Sequence, residues 1–88
     1  MYYATKIKLK YGCYNPNDLT EIDQIYIDGC GWCSKSYLHD YLKKYPNSIK
    51  VYYPPYPFLI PAISSRNEKY VRSESNNITR DNLLNLPR

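Results

Sequence analysis

The sequence predicts an α+β fold: a small antiparallel sheet of four to five strands, with one helix on one face and a short C-terminal helical turn. Three observations support this class. Residues 3–11 alternate between core-type and polar side chains with the period of a strand. Residues 37–45 repeat apolar side chains at the spacing of a helix. Residues 49–73 then hold three short apolar runs separated by prolines and a polar turn.

The length of the chain, 88 residues, predicts one domain over residues 1–88. A chain this short buries roughly 60–65% of its unfolded surface. Because an interface between copies would bury further apolar surface, we expect a homo-oligomer. The twelve tyrosines either build a half-polar core or form a binding surface, since each ring can be buried while its hydroxyl needs a polar partner.

Charge and hydropathy narrow the classes of function. The net charge of +4 suits an anionic ligand or partner. The sequence has no apolar run long enough for a bilayer and no signal peptide in its first residues. Three cysteines, an odd number, favour free thiols in a reducing compartment. We therefore expect a cytoplasmic protein without a membrane segment.

The first two strands are predicted to form an antiparallel hairpin. The core-facing positions of the first strand are Tyr3, Thr5, Ile7, Leu9 and Tyr11. Its open face carries Ala4, Lys6, Lys8 and Lys10. Residues 12–18 are rich in Gly, Asn and Pro and form the turn. In the second strand, residues 20–28, the isoleucines fall out of phase, which predicts a bulge near Asp23 and Gln24.

Residues 35–45 predict the one helix of the fold. Ser34 is a suitable N-cap, because its side-chain oxygen can accept an N–H that the helix leaves unpaired. Pro46 ends the helix after Tyr45. The apolar face is formed by Tyr37, Leu38, Tyr41, Leu42 and Tyr45. His39 falls on the opposite side, which we expect to face solvent.

The segments after the helix predict three more strands. The third strand covers residues 49–53, and the prolines of residues 54–57 force extended chain at the edge of a sheet. Residues 58–64 also contain a proline and form an edge strand or a segment packed across the sheet. The loop 65–68 returns the chain as the fifth strand, Lys69–Ser73.

The last twenty residues carry a closing turn and a family resemblance. Thr79 is expected to cap a helical turn whose leucines pack on the core. The tail reads K-Y-V-R, a polar loop, then T-x-D-N-L-L-x-L-P. The residues of this pattern are Lys69, Tyr70, Val71, Arg72, Thr79, Asp81, Asn82, Leu83, Leu84, Leu86 and Pro87. The pattern resembles that of domain-of-unknown-function family 3892, small proteins of bacteria and their phages.

The resemblance covers this tail firmly and the rest of the chain only by the order of its elements. It implies two strands, a helix and further strands that lead to the tail, and it carries over no catalytic residues. It also implies that a phage-encoded chain would work in the host cytoplasm. Residues 29–33 and 53–57 have no counterpart in the family pattern.

The motif Cys30-Gly31-Trp32-Cys33 has three interpretations. A first thiol at the positive end of the following helix would have a lowered pKa and favour dithiol redox chemistry, although the flanking elements are not the βαβ unit of such sites. Zinc is the second interpretation, and its candidate ligands are Cys13, Cys30, Cys33 and His39. Against zinc, Cys13 lies at the opposite end of the hairpin. The third interpretation is structural, with small half-buried thiols beside Trp32.

The sequence contains no recognisable serine, carboxylate or histidine catalytic set, so we expect a binding protein without a cofactor. Rings that stack on bases beside cations that meet phosphates hold nucleotide-like ligands, and a capped helical turn adds N–H groups for an anion. The expected ligand residues are Lys8, Lys69, Tyr70, Arg72, Thr79, Arg80, Asp81 and Asn82. No RNP, KH or helix-turn-helix signature is present, so sequence-specific DNA binding is not expected.

A protein partner is the alternative hypothesis. The stiff aromatic segment 52–58 would insert into a partner's groove or form an oligomer interface, where Tyr and Phe are enriched. Its expected contact residues are Tyr53, Tyr56 and Phe58. The chain would then be an inhibitor or a sequestering protein of the phage type.

Overall fold

The structure is a computed structural model that describes residues 2–12, 19–74 and 82–87. It confirms the α+β class. The helix and strands in the described ranges are β1 Tyr2–Leu9, β2 Ile22–Ile27, β3 Gly31–Ser34, α1 Lys35–Lys44, β4 Ile49–Val51, β5 Leu59–Ile63 and β6 Lys69–Ser73. Short 3-10 turns, Leu19–Glu21 and Asn82–Asn85, precede β2 and follow β6.

The strands form two sheets. The first has the order β3-β2-β1-β4, and the second pairs β5 with β6. The pairs β1–β2 and β5–β6 are antiparallel, as the sequence predicts, but β1 and β4 are parallel. The single antiparallel sheet expected from the sequence is therefore corrected to a mixed sheet and a separate hairpin. The parallel pair arises because α1 carries the chain from β3 across the sheet, so that β4 runs in the direction of β1.

Strand β3 lies between the second strand and the helix, where the sequence predicts no strand. Gly29 and Gly31 have φ angles of +90° and +92°, a region open to glycine, and they let three residues reverse the chain. Trp32 then pairs with Tyr26 of β2. The glycine-rich stretch therefore makes a hairpin rather than an irregular link.

Two bulges decide which side chains β1 and β2 bury. The predicted bulge in β2 is confirmed, because the register with β1 skips Asp23. A second bulge, at Thr5 of β1, is not predicted by the alternation. It shifts the phase of the strand, so that Ala4 is fully buried while Ile7 keeps its place in the core. The expected burial of Tyr3 and Thr5 with exposure of Ala4 is therefore wrong.

Helix α1 begins at the predicted Lys35 and ends at Lys44, one residue before the predicted end. Ser34 has extended backbone angles, and its Oγ accepts the N–H of Tyr37 at 3.2 Å. Tyr45 is the C-cap. Leu38 and Leu42 are buried, as expected, but Tyr37 and Tyr45 are 60% and 49% exposed. These tyrosines lie on the flank of the apolar face rather than at its centre.

The core lies between the four-stranded sheet, α1 and the β5–β6 hairpin. Its central side chains include Ile7, Ile25, Ile27, Leu38, Leu42, Ile49, Val51, Leu59 and Val71. The closing turn packs on this core as predicted, since Leu83, Leu84 and Leu86 are buried. The carbonyl of Pro87 accepts the N–H of Ile7 at 2.9 Å. The C-terminal segment thus takes the place beside β1 that β4 leaves when it ends.

Candidate functional site

The open face of the four-stranded sheet, the face that points away from the core, carries aromatic and basic side chains. Ile25 and Ile27 are buried, so Tyr26 between them points to the open face. Residues paired directly across neighbouring strands have side chains on the same face of the sheet, so the strand pairing identifies the other residues of the open face. The open face comprises Tyr3, Lys6, Lys8, Gln24, Tyr26, Trp32, Ser34 and Lys50.

Two lysines of β1 lie over aromatic rings of the open face. The Nζ of Lys6 is 5.6 Å from the centre of the Tyr26 ring, and the Nζ of Lys8 is 4.9 Å from that of Trp32. The two rings meet edge to face with centroids 5.4 Å apart, and Trp32 is 41% exposed. These four side chains, which we call the Trp32 cluster, place positive charge at exposed ring surfaces.

A second aromatic group lies at the β4 edge of the same face. The Tyr52 ring is 5.7 Å from the rings of both Tyr3 and Tyr56, and we call these three residues the Tyr52 cluster. Tyr52 and Tyr56 are 58% and 43% exposed. The Nζ of Lys50 lies 5.1 Å from the centre of the Phe58 ring. The open face therefore has aromatic groups at both of its edges.

The open-face lysines are available to an external anion. In the described part of the chain, the ion pairs involve other lysines, and none includes Lys6, Lys8 or Lys50. Lys10, expected in the same row, instead donates a hydrogen bond to Glu68 at 2.8 Å. The positive charge of the open face is thus carried by three lysines without a carboxylate partner in that part of the chain.

The ligand residues predicted on β6 do not join this site. Lys69 donates to Asp40 of α1 at 2.8 Å, a hydrogen bond that lowers the pKa of the Asp40 carboxyl. The carbonyl of Tyr70 accepts a hydrogen bond from α1. Arg72 is half-buried, and its Nε has no hydrogen-bond partner among the described residues. Because Lys8 belongs to the other sheet, the structure does not bring these four residues together.

Other predicted site residues lie outside the described residues. They are the ligand residues Thr79, Arg80 and Asp81 and the candidate metal ligand Cys13. Asn82 begins the 3-10 turn Asn82–Asn85. The anion site expected at this turn stays a prediction.

Two of the three predicted partner residues are exposed. Tyr53 and Tyr56 are 39% and 43% exposed. Phe58 is half-buried and forms an isolated bridge with Lys50. Only part of the aromatic segment is therefore presented to solvent.

Cys30 and Cys33 are free thiols that line a groove of about 580 Å³ together with Tyr37 of α1. Burial raises the pKa of the Cys33 thiol, and the neighbouring Cys30 raises it further. Four residues of β3 separate Cys30 from α1, about 13 Å of extended chain. The premise that this thiol sits at the positive end of the helix is therefore wrong, and a raised pKa does not favour thiolate chemistry at Cys33.

His39 is buried at 1% exposure, so the expectation that it faces solvent is wrong. Its Nδ1 donates to the carbonyl of Tyr70 at 3.0 Å, because β6 covers this flank of α1. Tyr37, which lines the groove beside Cys30 and Cys33, lies on nearly the opposite side of α1, because two residues turn the helix by about 200°. His39 therefore faces away from Cys30 and Cys33. The described residues contain no group of three or more His, Cys, Asp or Glu side chains placed to hold a metal.

Tyr26 and Trp32 are site residues that the sequence reasoning missed. The sequence pattern does indicate the position of Tyr26, since this residue alternates with two isoleucines and must therefore lie on the face opposite to theirs. No pattern indicates the position of Trp32, because its flanking Gly and Cys residues are typical of a turn. The importance of Trp32 depends on β3, which the sequence pattern does not reveal.

No helix in the described ranges is long and apolar enough to cross a membrane. Comparison of the chain with protein-family models, curated proteins and solved structures found no match. The C-terminal family resemblance therefore stays a prediction.

Proposed function

We propose that the protein is a non-catalytic, cytoplasmic binding module that captures an anionic, nucleotide-like ligand on the open face of its four-stranded sheet. The observation that carries this proposal is the placement of a lysine at each ring of the Trp32 cluster. A nucleotide combines a planar base with a phosphate, and this arrangement supplies a ring for the first and a cation for the second.

The energies favour stacking of a base over the lysine–ring contact that it would displace. Stacking of a base on an aromatic side chain is worth about 1–3 kcal/mol. An exposed cation–π contact is worth only about 0.5–1 kcal/mol. Lys8 is a flexible chain anchored beside Trp32, so a displaced amino group stays within reach of the phosphate. Lysine binds phosphate as a point charge and needs no fixed geometry for this.

The chemistry of the open face supports binding rather than catalysis. Its described side chains are lysines, aromatic rings, one hydroxyl of Ser34 and one amide of Gln24. They include no histidine, cysteine or carboxylate that would act as a general acid or base near neutral pH. Capture of a ligand needs only the stacking and charge that this surface offers.

Charge variants with Trp32 fluorescence as the readout test the proposal. The chain has a single tryptophan, so its fluorescence reports on this site alone. The probes are thymidine monophosphate and an eight-nucleotide oligothymidylate at low salt. Stacking on Trp32 is expected to quench its emission, and the double change Lys6→Gln with Lys8→Gln is expected to weaken binding by about tenfold or more, because two phosphate contacts are lost.

The matched control is Lys43→Gln with Lys44→Gln, which removes the same charge from the exposed face of α1. It is expected to weaken the affinity clearly less than the open-face double change does, since these lysines lie on α1, which packs on the opposite, inner side of the sheet. Equal loss in both double variants would mean that net charge alone matters and would refute the site. No quenching by either probe would refute the proposed function.

A protein partner remains the second candidate, supported by the exposure of Tyr53 and Tyr56. Homo-oligomerisation is part of the same proposal, because β3 is the outermost strand of its sheet and such an edge can pair with a second copy. Unchanged Trp32 emission with both nucleotide probes would favour the protein-binding alternative.

A further inference from the structure

The open face carries two stacking groups rather than one. The Trp32 cluster contributes Tyr26 and Trp32 on β2 and β3. The Tyr52 cluster lies at the opposite edge, beside β4. A ligand with one base would stack on only one of these groups and would leave the other group unoccupied.

Trp32 and Tyr52, the outermost rings of the two groups, lie at opposite edges of the sheet and too far apart for a single base to stack on both. Strands β3 and β4 are the two outer strands of the four-stranded sheet. Three strand intervals of about 4.8 Å separate them, which gives about 14 Å from edge to edge. Bases joined by a sugar–phosphate backbone can stack on both Trp32 and Tyr52, whereas one base cannot.

Lysines lie along the path between the two groups. Lys6 and Lys8 extend from β1, two strands from the edge strand β3 and next to β4. Lys50 extends from β4, where it pairs with Tyr3 of the Tyr52 cluster. None of the three is paired with a carboxylate within the described residues. A backbone that crosses the sheet would therefore meet a cation at several of its phosphates.

We propose that the ligand of the open face is a single-stranded nucleic acid of several nucleotides that crosses the sheet from the Trp32 cluster to the Tyr52 cluster. This inference rests on the proposed function and specifies its ligand. A duplex is excluded by the same geometry, because its bases stack on one another and leave no ring surface for the protein. Since every base has a flat surface to stack, the binding tolerates different sequences.

A length series tests the inference. Trp32 fluorescence is titrated with thymidine monophosphate, with oligothymidylates of two, four and eight nucleotides, and with a duplex of eight base pairs. Affinity is expected to rise by at least about tenfold from the monophosphate to the eight-nucleotide strand, and the strand is expected to bind more tightly than the duplex. Three lysine–phosphate contacts predict a slope of log K against log salt of about −2.

Variants of the Tyr52 cluster distinguish binding of a single strand from binding of one nucleotide. Tyr52→Ala and Tyr56→Ala, made separately, are each expected to weaken the eight-nucleotide strand several-fold and to leave the monophosphate unchanged. Because both side chains are exposed, thermal unfolding is expected to show an intact fold. Tyr37→Ala, an exposed tyrosine of α1, is the matched control and is expected to change neither affinity.

The outcomes are distinguishable. Equal affinity for the monophosphate and the eight-nucleotide strand, with no effect of Tyr52→Ala or Tyr56→Ala, would overturn the single-strand inference and leave the proposed function in place. Tighter binding of the duplex than of the strand would also overturn it. Absence of binding by every probe would overturn the proposed function itself.

Discussion

The carboxylate of Glu68 holds three parts of the fold together. Lys10 after β1 and Lys35 in the first turn of α1 both donate hydrogen bonds to its Oε1. Lys35 also donates to the carbonyl of Thr20 at 2.6 Å. The hydrogen bonds from Lys10 and Lys35 lower the pKa of the Glu68 carboxyl from 4.5 to about 2. One side chain in the β5–β6 turn thus fixes the ends of β1 and α1 relative to each other.

The lowered pKa of Glu68 predicts how stability depends on pH. A depressed folded-state pKa contributes stability that is fully present above the unfolded-state pKa of 4.5 and is lost as the pH falls to about 2. Glu68→Gln is therefore expected to be less stable than the parent protein at pH 7, and the difference is expected to shrink as the pH falls from 4.5 to 2. Urea unfolding at pH 7, 4 and 2 measures it. A difference in unfolding free energy that is constant over this range would contradict the prediction.

The burial of a residue could be predicted from the sequence where only one face of its helix or strand packs on the rest of the protein. The helical period correctly places Leu38 and Leu42 in the core. It fails for His39, because β6 covers a second flank of α1 and buries a residue that a one-sided helix would expose. It likewise fails for Tyr3, because the Thr5 bulge turns the first residues of β1 over. Both errors come from contacts between elements, which periodicity within one element does not contain.

Ser34 joins two elements, since it is the last residue of β3 and the N-cap of α1. As a member of β3 it pairs with Gln24. As the N-cap its Oγ accepts the N–H of Tyr37 at 3.2 Å. The strand that carries Trp32 is therefore connected without a loop to the helix that covers the core.

Removal of this cap is expected to destabilise the protein. Ser34→Ala loses the side-chain acceptor, and caps of this kind are worth about 1 kcal/mol. Ser34→Thr keeps a hydroxyl and suits a strand, so it is expected to remain within a few tenths of a kcal/mol. Chemical denaturation monitored by circular dichroism measures both variants. Equal stability of the alanine and threonine variants would show that the Oγ contact contributes nothing.

At the scale of elements, local signals predicted α1, the bulge in β2 and the closing turn, each of which depends on residues close in sequence. The parallel pairing of β4 with β1 depends on residues far apart in sequence, and no local pattern specifies it. The sequence does not predict strand β3, because Gly29 and Gly31 are typical of a loop. In the structure these glycines have positive φ angles and form a tight hairpin.

The whole molecule has two different sides. The inner side of the four-stranded sheet is covered by α1, the β5–β6 hairpin and the leucines of the closing turn. On the other side, Lys6, Lys8 and Trp32 are exposed. The sequence could suggest a lysine row on a strand, but the rings that make this row a candidate site come from two further strands. The site therefore emerges only when the sheet is assembled.

The most direct test of the central claim is a map of amide chemical-shift changes in the ¹⁵N-labelled protein on addition of an eight-nucleotide oligothymidylate. If a single strand binds the open face, the largest changes are expected at Lys6, Lys8, Tyr26 and the backbone and indole N–H of Trp32, with smaller changes extending to Tyr52. Little change is expected along α1. Changes concentrated on the groove lined by Cys30 and Cys33 or on β6, with the open face unaffected, would contradict binding at the open face.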